Sequence, residues 1–138
     1  MRFVWAAHDD ARAMEMLADG MLATNRGAYD IAEAALRGAL ERDETFAEAC
    51  AALAALQFAR GNVADALEIS TEALKHCPDH FGLLGGAGLC EMHKQRWSEA
   101  AKFLAAALDE NPHAGYYHQL SRALRKMDES PREEAARD

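Results

Sequence analysis

Histidine and cysteine crowd one short stretch of this chain, His76-Cys77-Pro78-Asp79-His80, and His113 stands in a neighbouring loop. Imidazole and thiolate are ligands that zinc prefers. A zinc site also needs a second cysteine or histidine pair at close spacing, and none accompanies this stretch. The cysteines, Cys50, Cys77 and Cys90, are odd in number and contain no C-x-x-C, so they define neither a zinc ribbon nor a disulfide framework. A second stretch, Gly82-Leu83-Leu84-Gly85-Gly86-Ala87-Gly88, has the glycine density of a phosphate-cradling loop. It lacks that loop's chemistry, having no G-K-[ST], no G-x-G-x-x-G and no strand pattern before it. No nucleophile, base and orienting group fall into a recognisable set, and the scattered Asp and Glu read as solvated helix faces. His93 and His118 read as surface or groove polar groups. The expectation is therefore a chain that is not an enzyme, with no catalytic residues, no metal and no cofactor.

The elements that would position any such groups follow from composition and period. The chain has 138 residues and 15.1 kDa, enough for one domain. Half of it is hydrophobic, only 7% is aromatic and 3 residues are proline, a profile that favours helices. Acids outnumber bases 23 to 15, for a net charge of -8. A nucleic-acid backbone needs a basic face, and this balance supplies none in bulk, so no nucleic acid is expected. The apolar start, Phe3-Val4-Trp5, meets His8-Asp9-Asp10 at once. It is too short for a signal peptide, and no stretch reaches the about 20 apolar residues of a membrane span. With no membrane segment and unpaired thiols, the expected compartment is cytoplasmic.

Self-similarity then organises the chain. Pro78 and Pro112 lie 34 residues apart, as do Ala66 and Ala100, Ala73 and Ala107, and Leu74 and Leu108. One interval earlier stand Ala32, Ala39 and Leu40, and Gly27 precedes Gly61 in the same register. Small residues recur at Gly20, Ala54 and Gly88, and a large residue follows each turn at Tyr29, Val63 and Trp97. Each unit reads as two helices: glycine stops the first, and proline follows the second. The spacing predicts helices over 10–25, 28–41, 47–60, 63–75, 81–94, 97–109 and 115–127. The charged residues after Ser130 read as a flexible, frayed tail.

On these residues the chain resembles a tetratricopeptide-repeat (TPR) protein. Gly20, Ala54 and Gly88 stand at the family's small position; Ala32, Ala66 and Ala100, then Ala39, Ala73 and Ala107, stand at its alanines; Pro78 and Pro112 stand at its proline. The resemblance implies an all-α superhelix, a TPR solenoid. It divides into an N-terminal segment 1–12, repeats 13–46, 47–80 and 81–114, a capping helix 115–128 and a tail 129–138. On that capping helix Tyr116, Tyr117, Leu120, Leu124 and Met127 are expected to cover the last repeat, with Arg122, Arg125 and Lys126 facing water. Where the family carries large residues, this chain has Asp19 and Ala87, and further along Ala23, Gln57 and Glu91, so the first helices are expected to pack atypically.

The resemblance also implies a concave groove lined by the first helix of each repeat. Carried over position by position, that lining is Leu17, Met21, Thr24 and Asn25, then Glu48, Ala51, Ala55, Phe58 and Ala59, then Gly82, Gly85, Leu89, Met92 and His93. The implied function is a protein-binding adaptor or scaffold taking a peptide or amphipathic helix with apolar anchors. Where some relatives grip a carboxylate with lysine, arginine and asparagine, this chain has Leu17, Met21, Ala51, Ala55, Gly82 and Gly86. Gly82, Gly85 and Gly86 are expected to let a ligand backbone come near. In architecture the chain is also similar to the bacterial type III secretion chaperones that hold translocator proteins. A further expectation is self-assembly as a homodimer through Phe3, Val4 and Trp5.

Overall fold

The computed structural model describes residues 10–137, with side chains through Glu129; Phe3, Val4 and Trp5 lie outside the described residues. The helices are α1 (Ala11–Asn25), α2 (Tyr29–Arg42), α3 (Ala47–Ala59), α4 (Val63–Leu74), α5 (Phe81–His93), α6 (Trp97–Glu110) and α7 (Tyr117–Arg137). There is no strand among the described residues. Helices α1, α3 and α5 each pack on the even-numbered helix that follows and stand side by side in a row, and α7 packs on α6.

Local chemistry sets the ends of these helices. Asp10 caps α1, its Oδ1 accepting from the backbone N–H of Arg12 and of Ala13 at 3.0 and 3.1 Å. Gly27 and Gly61 adopt φ of 78° and 87°, the left-handed turn between paired helices. The third such turn, one 34-residue step further on, is made by Gln95 at φ 62°. That is a strained conformation for a residue with a Cβ.

Small residues then let the paired helices close up. A Cβ on Gly20 would lie 2.6 Å from Leu36 of α2, and one on Gly88 would lie 2.7 Å from Leu104 of α6. The main core fills the first two repeats, with Leu36, Leu53 and Leu56 fully buried; a smaller one joins α6 to α7 around Ala100, Ala101 and Ala123.

Two expectations for the C-terminal end need correction. The backbone stays helical through Arg137, where fraying after Ser130 was expected. Glutamate, alanine and arginine after Pro131 are good helix formers. Tyr117, Leu124 and Met127 do not cover the last repeat but are exposed; Tyr116, Leu120 and Ala123 face the array instead.

Candidate interaction groove

The site is built from two helices with unusually small side chains. Ala51, Ala54, Ala55 and Phe58 share one face of α3, and Gly82, Gly86, Leu89 and Cys90 share the facing side of α5. Together with Tyr116 they line an apolar hollow of about 180 Å³. A second hollow, about 390 Å³, adjoins it through Phe58 and Leu89 and continues over Met92, His93, Gln95, Trp97, Gln119 and Arg122. Phe58 meets the His93 ring edge-on, with centroids 6.0 Å apart.

The glycine run serves the protein's own side chains first. A Cβ on Gly85 would overlap the Tyr116 ring, so this glycine is a seat for Tyr116 rather than for a ligand backbone. A Cβ on Gly82 would come within 3.0 Å of the His80 ring. That ring caps α5: Nδ1 accepts from the Leu83 N–H at 3.1 Å, and Nε2 lies 2.7 Å from Glu48 Oε1. Because Nδ1 is the acceptor, Nε2 carries the proton and donates to Glu48, tying α5 to α3. This histidine is thus a helix cap. Gly86 alone of these three has room for a Cβ without a close contact, the nearest atom being Ser70 Oγ at an ordinary 3.7 Å. No group of three or more His, Cys, Asp or Glu that could hold a metal occurs among the described residues.

The chemistry of the hollow is inert. Burial, reinforced by Glu91, pushes the Cys90 thiol up to about 11, so it stays protonated at neutral pH and behaves as a small apolar group. Burial likewise raises the Tyr116 phenol above its ordinary range.

Of the residues expected in the groove, Ala51, Ala55, Phe58, Gly82 and Leu89 come together in the first hollow, and Phe58, Leu89, Met92 and His93 in the second. Leu17 does not: it is only 9% exposed and belongs to the core beneath α1, because it faces the helix pair rather than the row. Gly85 is buried beneath Tyr116. Thr24 turns its hydroxyl back onto the Gly20 carbonyl at 2.8 Å. Met21, Asn25 and Ala59 are exposed and line neither hollow, and Glu48 is engaged by His80. Ala54, Cys90, Tyr116, Gln95, Trp97, Gln119 and Arg122 were not anticipated as lining. A hint lay in Gly85, since a helix position without a side chain leaves a hole that a neighbouring aromatic can fill.

Residues 57–124 match the family model of the tetratricopeptide repeat. No curated protein matches the chain in sequence. Among solved structures, the chain resembles the first TPR domain of the human RPAP3 protein, with a TM-score of 0.81 and 16% identity over 88% of this chain and 96% of that one. It resembles equally the first TPR of Spaghetti (RPAP3) bound to the HSP90 peptide SRMEEVD, with a TM-score of 0.80 and 17% identity over 90% of this chain and 99% of that one. The Sgt2 TPR domain from Aspergillus fumigatus gives 0.82 and 19% over 89% and 83%. At these identities the likeness is one of fold. The paired helices, the 34-residue register and the matching family model agree: the chain has the all-α solenoid fold of tetratricopeptide repeats, and residues 57–124 match that family.

Proposed function

We propose that this array is a non-enzymatic interaction module that seats a protein segment with apolar anchors, an amphipathic helix or an extended peptide, between α3 and α5. The observation that carries the reading is the pair of adjoining hollows sharing Phe58 and Leu89, walled by alanine, glycine, methionine and aromatic side chains, with Arg122 the one Asp, Glu, Lys or Arg among their described lining residues. Small residues leave room for a partner's side chains, and Met92 adapts to their shape. A solved neighbour of this fold holds an HSP90 peptide. In the present chain the small, uncharged residues Ala51, Ala55, Gly82 and Gly86 favour apolar anchors over an acidic tail. The free thiols Cys50, Cys77 and Cys90 support a reducing compartment such as the cytoplasm.

Affinity purification from the native host, read by mass spectrometry, tests this. Leu89→Glu introduces a charge where both hollows meet and should reduce recovery of the partner at least about tenfold, as loss of a binding hot spot does. Met21→Glu and Ile31→Glu, both on exposed positions away from the hollows, should leave recovery unchanged. A partner retained by Leu89→Glu with undiminished yield would remove the reading.

A further inference from the structure

The hollows between α3 and α5 end on a base that nothing neutralises. Arg122 of α7 lines the second hollow and is exposed, and its guanidinium makes no ion pair or hydrogen bond among the described residues. Its own helix explains this. Helical neighbours stand three and four residues away, and around Arg122 these are His118, Gln119, Arg125 and Lys126, with no acid among them. Elsewhere in the array Arg37, Arg42, Arg60 and Lys75 each hold a carboxylate within 3.0 Å. The opposite end of the groove carries the other sign. There Glu48 stands on α3 about one turn before Ala51, against the His80 ring that caps α5. The groove thus has an electrical direction that its uncharged walls do not show.

We propose that the segment seated in these hollows carries an apolar side chain and one side-chain carboxylate about three residues apart, the carboxylate pairing with Arg122. This rests on the hollows being a partner's seat. The spacing follows from α5. Gly86 lines the first hollow and Met92 the second, six residues or about 9 Å further along the helix. An extended chain covers that distance in about three residues. With the apolar side chain among Ala51, Ala55 and Gly86, the carboxylate reaches Arg122, whose planar fork matches carboxylate geometry. One base suits one acid, since a run of acids would extend toward Glu48 and meet like charge. The carboxylate is a side chain and not a chain terminus, because Ala51, Ala55, Gly82 and Gly86 offer no side-chain donor to hold a terminus. An exposed pair adds little affinity, but it fixes which sequence enters and in which direction.

Random linear peptides displayed on phage and selected against the full chain test this. The enriched sequences should pair a large apolar residue with Asp or Glu about three positions away. Selection on Arg122→Glu should instead enrich Lys or Arg at that position, and Leu89→Glu should enrich nothing. A selected peptide, synthesised with an amidated C-terminus, should bind Arg122→Ala about threefold more weakly at low salt, a gap that closes as salt is added. Arg122 is exposed, so neither substitution there disturbs the fold. An apolar consensus without an acid, lost on Leu89→Glu, overturns the carboxylate while leaving the hollows as a seat. An acidic consensus that Arg122→Glu selects unchanged overturns the pairing with Arg122. No enrichment at all overturns this proposal and the seat together.

Discussion

Gln57 and Glu91 occupy the same position in successive repeats, 34 residues apart, and both are buried, 3% and 4% exposed. Their surroundings differ completely. Gln57 Nε2 donates to Glu33 Oε1 at 3.0 Å, and its Oε1 accepts from Asn62 at 3.0 Å. Arg60 adds ion pairs to Glu33 and Asp30, each at 2.9 Å. The junction between the first two repeats is therefore a satisfied polar network. At the next junction, Leu67 and Ala64 stand where Glu33 and Asp30 would be. Glu91 is left with Arg96 at 3.8 Å, and its Oε1, like Ser70 Oγ nearby in the array, is buried without a hydrogen bond. A repeat position does not fix its own energetics; the preceding repeat supplies or withholds the partner.

Exchanging the two identities should break this comparison most sharply. Gln57→Glu sets a second carboxylate against Glu33 and should destabilise the protein by about 3 kcal/mol at neutral pH, seen as a lower urea midpoint. The loss should shrink in acid. Arg37 and then Gln57 hold the Glu33 carboxyl below its usual range, so the stability of this network is present above that range and lost as pH falls through it. The reverse exchange, Glu91→Gln, should stabilise by about 1–2 kcal/mol, because an amide is cheaper than a carboxylate to leave partly unpaired. A lower midpoint for Glu91→Gln would mean that the carboxylate is satisfied after all.

The turns extend the comparison at smaller scale. Gln95→Gly replaces a strained left-handed residue by the one that Gly27 and Gly61 already use, and should raise stability by about 1 kcal/mol in thermal unfolding. No change would show that the surroundings of Gln95 already offset the strain. The smallest effect is a pH slope. The unfolded chain releases the Cys90 proton near 9.0 and the folded chain near 11, so the unfolded state loses its proton first. Stability should therefore fall as pH climbs from 9.0 toward 11, and Cys90→Ala should flatten that part of the profile. A slope unchanged by the substitution would assign it to other groups.

Much of the architecture was legible because it rests on residues whose backbone or volume demands are local. Gly27 and Gly61 mark left-handed turns, Gly20 and Gly88 admit close helices, and the alanines recur where those helices meet. The groove was only partly legible. Ala51, Ala55, Phe58 and Leu89 line the hollow between α3 and α5, but Leu17 turned inward and Gly85 was filled by Tyr116. A rotation of a few tens of degrees moves a helical residue from groove to core, and nothing in the local sequence measures that rotation. For His80 the local sequence left the role open, since imidazole serves equally as ligand and cap, and only the placement of Leu83 N and Glu48 distinguishes them.

By itself the sequence determined that this is a solenoid of helical pairs, because period, small residues and turn glycines act within one repeat. Tertiary structure decided what the repeats do to each other: which carboxylate is paired, which glycine houses an aromatic ring, and which strip of α7 faces outward. Those outcomes depend on helix rotation and on side chains dozens of residues away, which meet only once the array has stacked.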